Sequence, residues 1–155
     1  MITENILRKL TPGISEKEVK KFSSQLNALI LDSEINTPVR VAHFLTQLCV
    51  QTDLLSSFRE KGKDKYKRRG FISGELMYKL LSEITQDEKL IEKPSSLDNT
   101  KLCLSAMVRL WSHLRLNEIS DKDDLRSITY RLTGNFDNME LRRQILLKTK
   151  KALSV

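Results

Sequence analysis

The sequence is poor in the residues that break or staple a chain. Its 155 residues include only five glycines and three prolines, too few for long structureless stretches. It has two cysteines, Cys49 and Cys103, each inside an apolar helical pattern. That placement reads as two buried free thiols rather than a disulfide framework. Two histidines, His43 and His113, lie far apart with no cysteine or carboxylate cluster at ligand spacing, so no metal site is expected, and no motif asks for a cofactor. No unbroken apolar run opens the chain, which excludes a signal-peptide pattern, and nothing later reaches the length of a membrane span. The expectation is a soluble protein made in the cytoplasm and not inserted in a membrane. Reaching another compartment would need a holin or a secretion system.

What is present suits one domain over residues 1–155, with a short helix and turn at 1–13 and a core at 15–155. Hydrophobic residues make up 39% and charged residues 30%, an ordinary globular balance. The formal net charge is +7, and much of it is local. Lys61, Lys63, Lys65, Lys67, Arg68 and Arg69 stand together, with Asp64 as the single acidic residue between Lys61 and Gly70. Such a run suits nucleic acid, an anionic envelope polymer or an acidic protein surface, and it also suits a solvated loop.

The periodicity is helical nearly throughout. A first helix over about 4–10 stops at Thr11-Pro12-Gly13, and Ser15 with Glu18 forms a capping box for a second helix. Val19, Phe22, Leu26 and Leu29 mark that helix's buried face. Thr37 as cap and Pro38 in the first turn open a third, whose apolar face is Val41, Phe44, Leu45, Leu48 and Cys49 and which runs to around Gln51. Glu75 to Ile84 is a shorter amphipathic helix, and Lys93 to Ser96 is a turn. The next helix, about 99–114, is expected to bury Leu102, Ala106, Leu110 and Trp111. Asp121 or Asp123 starts another, which Gly134 ends. A last helix over about 138–153 is expected to bury Leu141, Ile145 and Leu146. No alternating segment is long enough for a sheet, so the fold class is all-α.

Three stretches carry a resemblance. The first is Ile35-Asn36-Thr37-Pro38-Val39-Arg40-Val41-Ala42-His43-Phe44-Leu45-Thr46-Gln47. The second is Lys65-Tyr66-Lys67-Arg68-Arg69-Gly70-Phe71-Ile72. The third runs from Leu116-Asn117 through Asp121, Asp123 and Asp124 to Leu132-Thr133-Gly134-Asn135, and Met139 to Arg143 continue it. In order and spacing these resemble glycoside hydrolase family 19, the chitinase and phage-endolysin type. There a Thr-Pro pair precedes an Ala-x-Phe-Leu-x-Gln run, followed by a Tyr-Arg-Gly-Arg-Gly segment and an Ile-Asn-Gly-Gly turn. The resemblance implies a lysozyme-like helical domain, here with one cleft lobe shortened.

It also implies a chemistry, and this chain departs from it. Inverting glycosidases place a protonated carboxyl and an ionised carboxylate roughly 6.5–9.5 Å apart across the scissile bond. Aligned through the Thr-Pro and Phe-Leu-x-Gln landmarks, Gln51 stands where the family has the acid, and an amide cannot donate that proton. Glu60, nine residues on, stands where the base is expected; it also reads as a surface glutamate facing the lysines after it. Asp53 and Asp64 are poor substitutes. Only four residues, Lys61 to Asp64, separate Glu60 from Lys65, where the family has a long segment forming one wall of the sugar cleft. Ser73-Gly74 replaces a longer Gln-Leu-Thr-Gly run, and Arg68 replaces a motif glycine.

Among the remaining matched positions, Tyr66 and Arg69 suit either glycan binding or packing of the cleft floor. Asn135 and Arg143 suit either the cleft's edge or a helix cap and an ion pair. Trp111 suits core or sugar platform. Two functions follow from the resemblance: a catalytically inactive scaffold holding a bacterial cell-wall glycan or an unidentified protein partner, or an inverting hydrolase of peptidoglycan or chitin-type polymers using Glu60. Nucleic-acid binding through residues 61–69 is a lesser third, because part of that run belongs to the family motif.

Overall fold

The computed structural model describes residues 1–155 and is helical, with no sheet. Nine α-helices follow in order: α1 Glu4–Leu10, α2 Glu16–Ile30, α3 Pro38–Gln51, α4 Glu75–Thr85, α5 Lys89–Glu92, α6 Thr100–His113, α7 Leu116–Asp121, α8 Leu125–Thr133 and α9 Met139–Ala152, with a 3-10 turn over Pro94–Asp98 before α6. The caps are local chemistry. Ser15 accepts from the Glu18 N–H, Thr37 from the Arg40 N–H with Pro38 in the first turn, and Asn99 from the Leu102 N–H. Gly134 ends α8 in the left-handed conformation, φ 77°.

α3 is the axis of the molecule. Nine consecutive residues, Val41 to Cys49, are buried, so this helix is enclosed on every side rather than along one stripe. α9 packs along it, and α7 and α8 close a further side. One apolar cluster of 32 residues joins the helices, with Trp111, Phe44 and Phe71 in edge and tilted contact at its centre. Trp111 is fully buried; its indole N–H donates to Asn117 Oδ1 at 2.9 Å, and Asn117 in turn holds the Ser33 carbonyl. Cys49 and Cys103 are free buried thiols, and burial pushes both up to about 12, which keeps them protonated and unreactive.

Three expectations are corrected. Asp124, not Asp121 or Asp123, caps α8 by accepting from the Ser127 N–H. Asp121 closes the separate short helix α7 and grips Arg40 in a two-pronged ion pair. Leu102 and Leu141 are exposed. In α9 Ile145 and Leu146 are buried as expected, while Arg142 and Thr149 are buried in place of Leu141, an arginine occupying a position that reads as surface.

Asp123 has its own task. It sits at φ 56° and binds two groups: the fully buried His43, whose Nε2 donates to Oδ1 at 2.7 Å, and Lys150 from α9. Burial pushes the His43 imidazole below its ordinary value, and the Asp123 carboxylate opposes this only in part. Nδ1 of His43 has no partner, so a second proton there would find no acceptor. The unfolded chain therefore takes up the proton more readily. The stabilisation is complete above the ordinary histidine value and is lost as the pH falls below it. The melting temperature should drop between about pH 7.5 and pH 5, and thermal scans of His43→Gln should show a flatter profile over that range. An equal slope in the two proteins would remove His43 as the cause.

Candidate functional site

A groove of about 720 Å3 opens beside the C-terminal end of α3. Gln51, Arg68 and Arg142 form its base. Phe71, Ser73 and the α4 residues Leu76, Met77 and Leu80 make one side, and the α8–α9 turn, Arg131 to Asn138, makes the other. One face is thus apolar and the other polar.

The base is a closed hydrogen-bond network. Arg142, 1% exposed, donates from Nη1 to Gln47 Oε1 at 2.5 Å, from Nη2 to Gln51 Oε1 at 2.9 Å and from Nε to the Asp137 carbonyl at 3.0 Å. Gln47 passes the chain on, its Nε2 donating to Thr129 Oγ1 at 3.0 Å on α8. Gln47 and Gln51 lie one turn apart on α3, which is why a single guanidinium spans both. The Gln51 carbonyl also accepts from Arg68 Nη1, which ties the 65–72 segment to the same point. Every acceptor of Arg142 is neutral. Burial lowers this guanidinium to about 10, opposed by the charge of Asp137, and it stays protonated at neutral pH.

The groove contains one carboxylate, Asp137. Glu60 is elsewhere. Its Oε1 accepts from the Arg68 N–H at 2.7 Å while its own N–H donates to the Arg68 carbonyl at 2.9 Å. These bonds, with Gly70 N–H to the Phe58 carbonyl at 2.6 Å, zip residues 58–60 to 68–70 into a tight loop turning at Gly62. Asp53 lies past the end of α3 in a left-handed run, Asp53 to Leu55, and faces a separate apolar pocket with Leu10, Cys49 and Ile145. Asp64 accepts from the Tyr66 N–H inside the loop.

The basic run does not form one patch. Arg69 is 4% exposed: its Nε donates to Asp98 Oδ1 at 2.8 Å and its Nη1 to Tyr78 Oη at 2.8 Å. Burial pushes the Asp98 carboxyl up, but Arg69 and Arg59 outweigh it and hold it below its ordinary value. Arg68 turns to Gln51, Lys67 Nζ donates to the Gly62 carbonyl, and Lys65 lies over the Tyr66 ring. Lys61, Lys63 and Lys65 remain as the exposed portion. Tyr66 packs on Tyr78 and is not part of the groove, so it and Arg69 are packing residues.

Asn135 does line the groove, where its Oδ1 accepts from the Asp137 N–H at 2.9 Å and shapes the turn. Arg143 does not: it is exposed and pairs with Glu140 at 3.3 Å, while its neighbour Arg142 reaches the base. Sequence reasoning missed Arg142, Gln47, Thr129 and Asp137. The available signal was Gln47 and Gln51, two amides at helical spacing in an otherwise apolar helix. No group of three or more His, Cys, Asp or Glu side chains is placed to hold a metal ion. No helix is long and apolar enough to cross a membrane.

No protein-family model matches this chain, and no curated protein matches it.

Proposed function

We propose that this chain is a degenerate relative of the family 19 glycosidases, of lysozyme-like architecture, that binds a glycan in the groove without cleaving it. The observation that carries this reading is the makeup of the groove. An inverting hydrolase needs two carboxylates facing each other across the sugar. Here the position that resembles the acid is an amide locked to Arg142, the position that resembles the base is engaged with its own loop, and Asp137 stands alone. The groove has an apolar side and a polar side, as a sugar chain requires. Asn135, Asn138, Gln51, Arg68 and Arg131 remain to meet hydroxyl and acetamido groups.

The test is sedimentation with insoluble peptidoglycan and chitin, with dye release from labelled forms of both. Binding to at least one polymer with no dye release is expected. Dye release above buffer that disappears in Glu60→Gln would favour the hydrolase, and absence of binding to both would end the glycan reading.

Gln51→Glu should not create an enzyme. The new carboxylate would lie on the Arg142 guanidinium, which favours its ionised form and makes it a poor proton donor. Turnover of either polymer by Gln51→Glu above the level of the parent protein would contradict this.

A further inference from the structure

We infer that the base of the groove is an anion subsite, built to take a carboxylate carried by the bound glycan against Arg142 and Arg68. The inference deepens the glycan-binding reading and rests on it.

The starting point is charge pairing. Arg8, Arg40, Arg59, Arg69, Arg115 and Arg143 each sit on a carboxylate. The three arginines that line the groove, Arg68, Arg131 and Arg142, have no ion pair, and neither do Arg109 and Arg126 outside it. For exposed or half-buried arginines this is unremarkable. For Arg142, 1% exposed, it is not, because a buried cation is ordinarily neutralised by a buried anion. Its three acceptors are two side-chain amides and one peptide carbonyl, so its hydrogen bonds are supplied but no carboxylate is bonded to it. Asp137, the one carboxylate nearby, meets the guanidinium through its backbone oxygen rather than its side chain.

Two further features lie at the same place. Arg68 spends Nη1 on the Gln51 and Gly70 carbonyls, while its Nε and Nη2 make no bond within the protein and are free for a ligand. The amino-terminal end of α9, a 14-residue helix, is uncapped by any side chain, and Asn138 at that end lines the groove. A helix start adds positive potential and unpaired N–H groups. Arg142 therefore sets the field from beneath and Arg68 supplies the contact. A neutral sugar chain leaves that charge unmatched; one bearing a carboxylate completes it.

The test compares chitotetraose with the same tetramer oxidised at C6 to carboxylates, by calorimetry on the full chain at low and high salt. The oxidised tetramer should bind about tenfold more tightly at low salt, with the difference shrinking as salt rises. Arg68→Gln and Arg131→Gln should each bring the two affinities closer, Arg68→Gln more so. A Lys61→Gln, Lys63→Gln, Lys65→Gln variant should leave the preference intact, which separates the groove from the general positive charge. Equal binding of the two tetramers would overturn the anion subsite and leave the glycan reading in place. Loss of the preference in the triple lysine variant, or its survival in Arg68→Gln, would place the carboxylate outside the groove. Failure of both tetramers to bind would overturn the subsite and count against the glycan reading as well.

Discussion

Arg142→Ala is expected to lower the stability by about 3 kcal/mol, which for a chain of this size is a fall in melting temperature of roughly 10 °C. The substitution leaves the buried amide oxygen of Gln47 and the half-buried one of Gln51 without a donor and opens a cavity between α3 and α9. Each orphaned acceptor costs about 1–3 kcal/mol, and relief from burying an unneutralised cation returns part of that. The same bookkeeping gives a sharper expectation. Arg142→Met with Gln47→Leu and Gln51→Leu removes donors and acceptors together and should recover most of the loss, because a buried polar network is costly when half of it is missing. Urea unfolding of the two proteins decides it. An Arg142→Ala midpoint indistinguishable from the parent would mean the network does not hold α9 to α3.

Gly70→Ala is expected to be comparably damaging, for a different reason. Gly70 has φ 58°, where a side chain is strained, at about 1–2 kcal/mol. An added Cβ would also lie 2.5 Å from Met107 Sδ and 2.9 Å from Cys103 Sγ, both in α6 and both fully buried. The clash brings the expected total to about 3 kcal/mol. Gly70→Ala with Met107→Ala should relieve the clash with Met107 and keep the clash with Cys103 and the part due to φ, so the two changes will not add. Full recovery in the double variant would show that the backbone tolerates the left-handed conformation without glycine. Gly70 lets the 65–72 segment lie directly on α6, and that contact places Arg68 beneath the groove.

Much of the fold was legible because the signals are local. Thr37 and Pro38, Ser15, Asn99 and Gly134 announce helix ends through hydrogen bonds within a turn of their own position. The periodicity of α2 and α3 follows directly from their apolar side chains. The start of α8 was misplaced because Asp121, Asp123 and Asp124 all carry a capping carboxylate. Only tertiary partners (Arg40 for the first, His43 and Lys150 for the second) leave the third free to cap.

The candidate site was half legible. Gln51 and Asn135 were picked out through the resemblance, and both line the groove. Arg142 was hidden, since a buried arginine inside an amphipathic helix looks like surface until the two amides that hold it are known. Glu60 and the basic run misled in the opposite direction. Residues that suggest a base and an anion-binding strip in one dimension are, in three, tied to Arg68, Asp98, Tyr78 and Gly62. Loops compress charges into contacts that spacing alone does not foretell.

The most direct test of a groove that binds sugar and does not cut it is an NMR titration with a β-1,4 N-acetylglucosamine hexamer, followed for a day in the same tube. Shifts are expected in the backbone amides of Gln51, Ser73, Asn135 and Asn138, with an unchanged hexamer and no new anomeric signals. New α-anomeric reducing ends, the product of inversion at a β linkage, would contradict binding without cleavage.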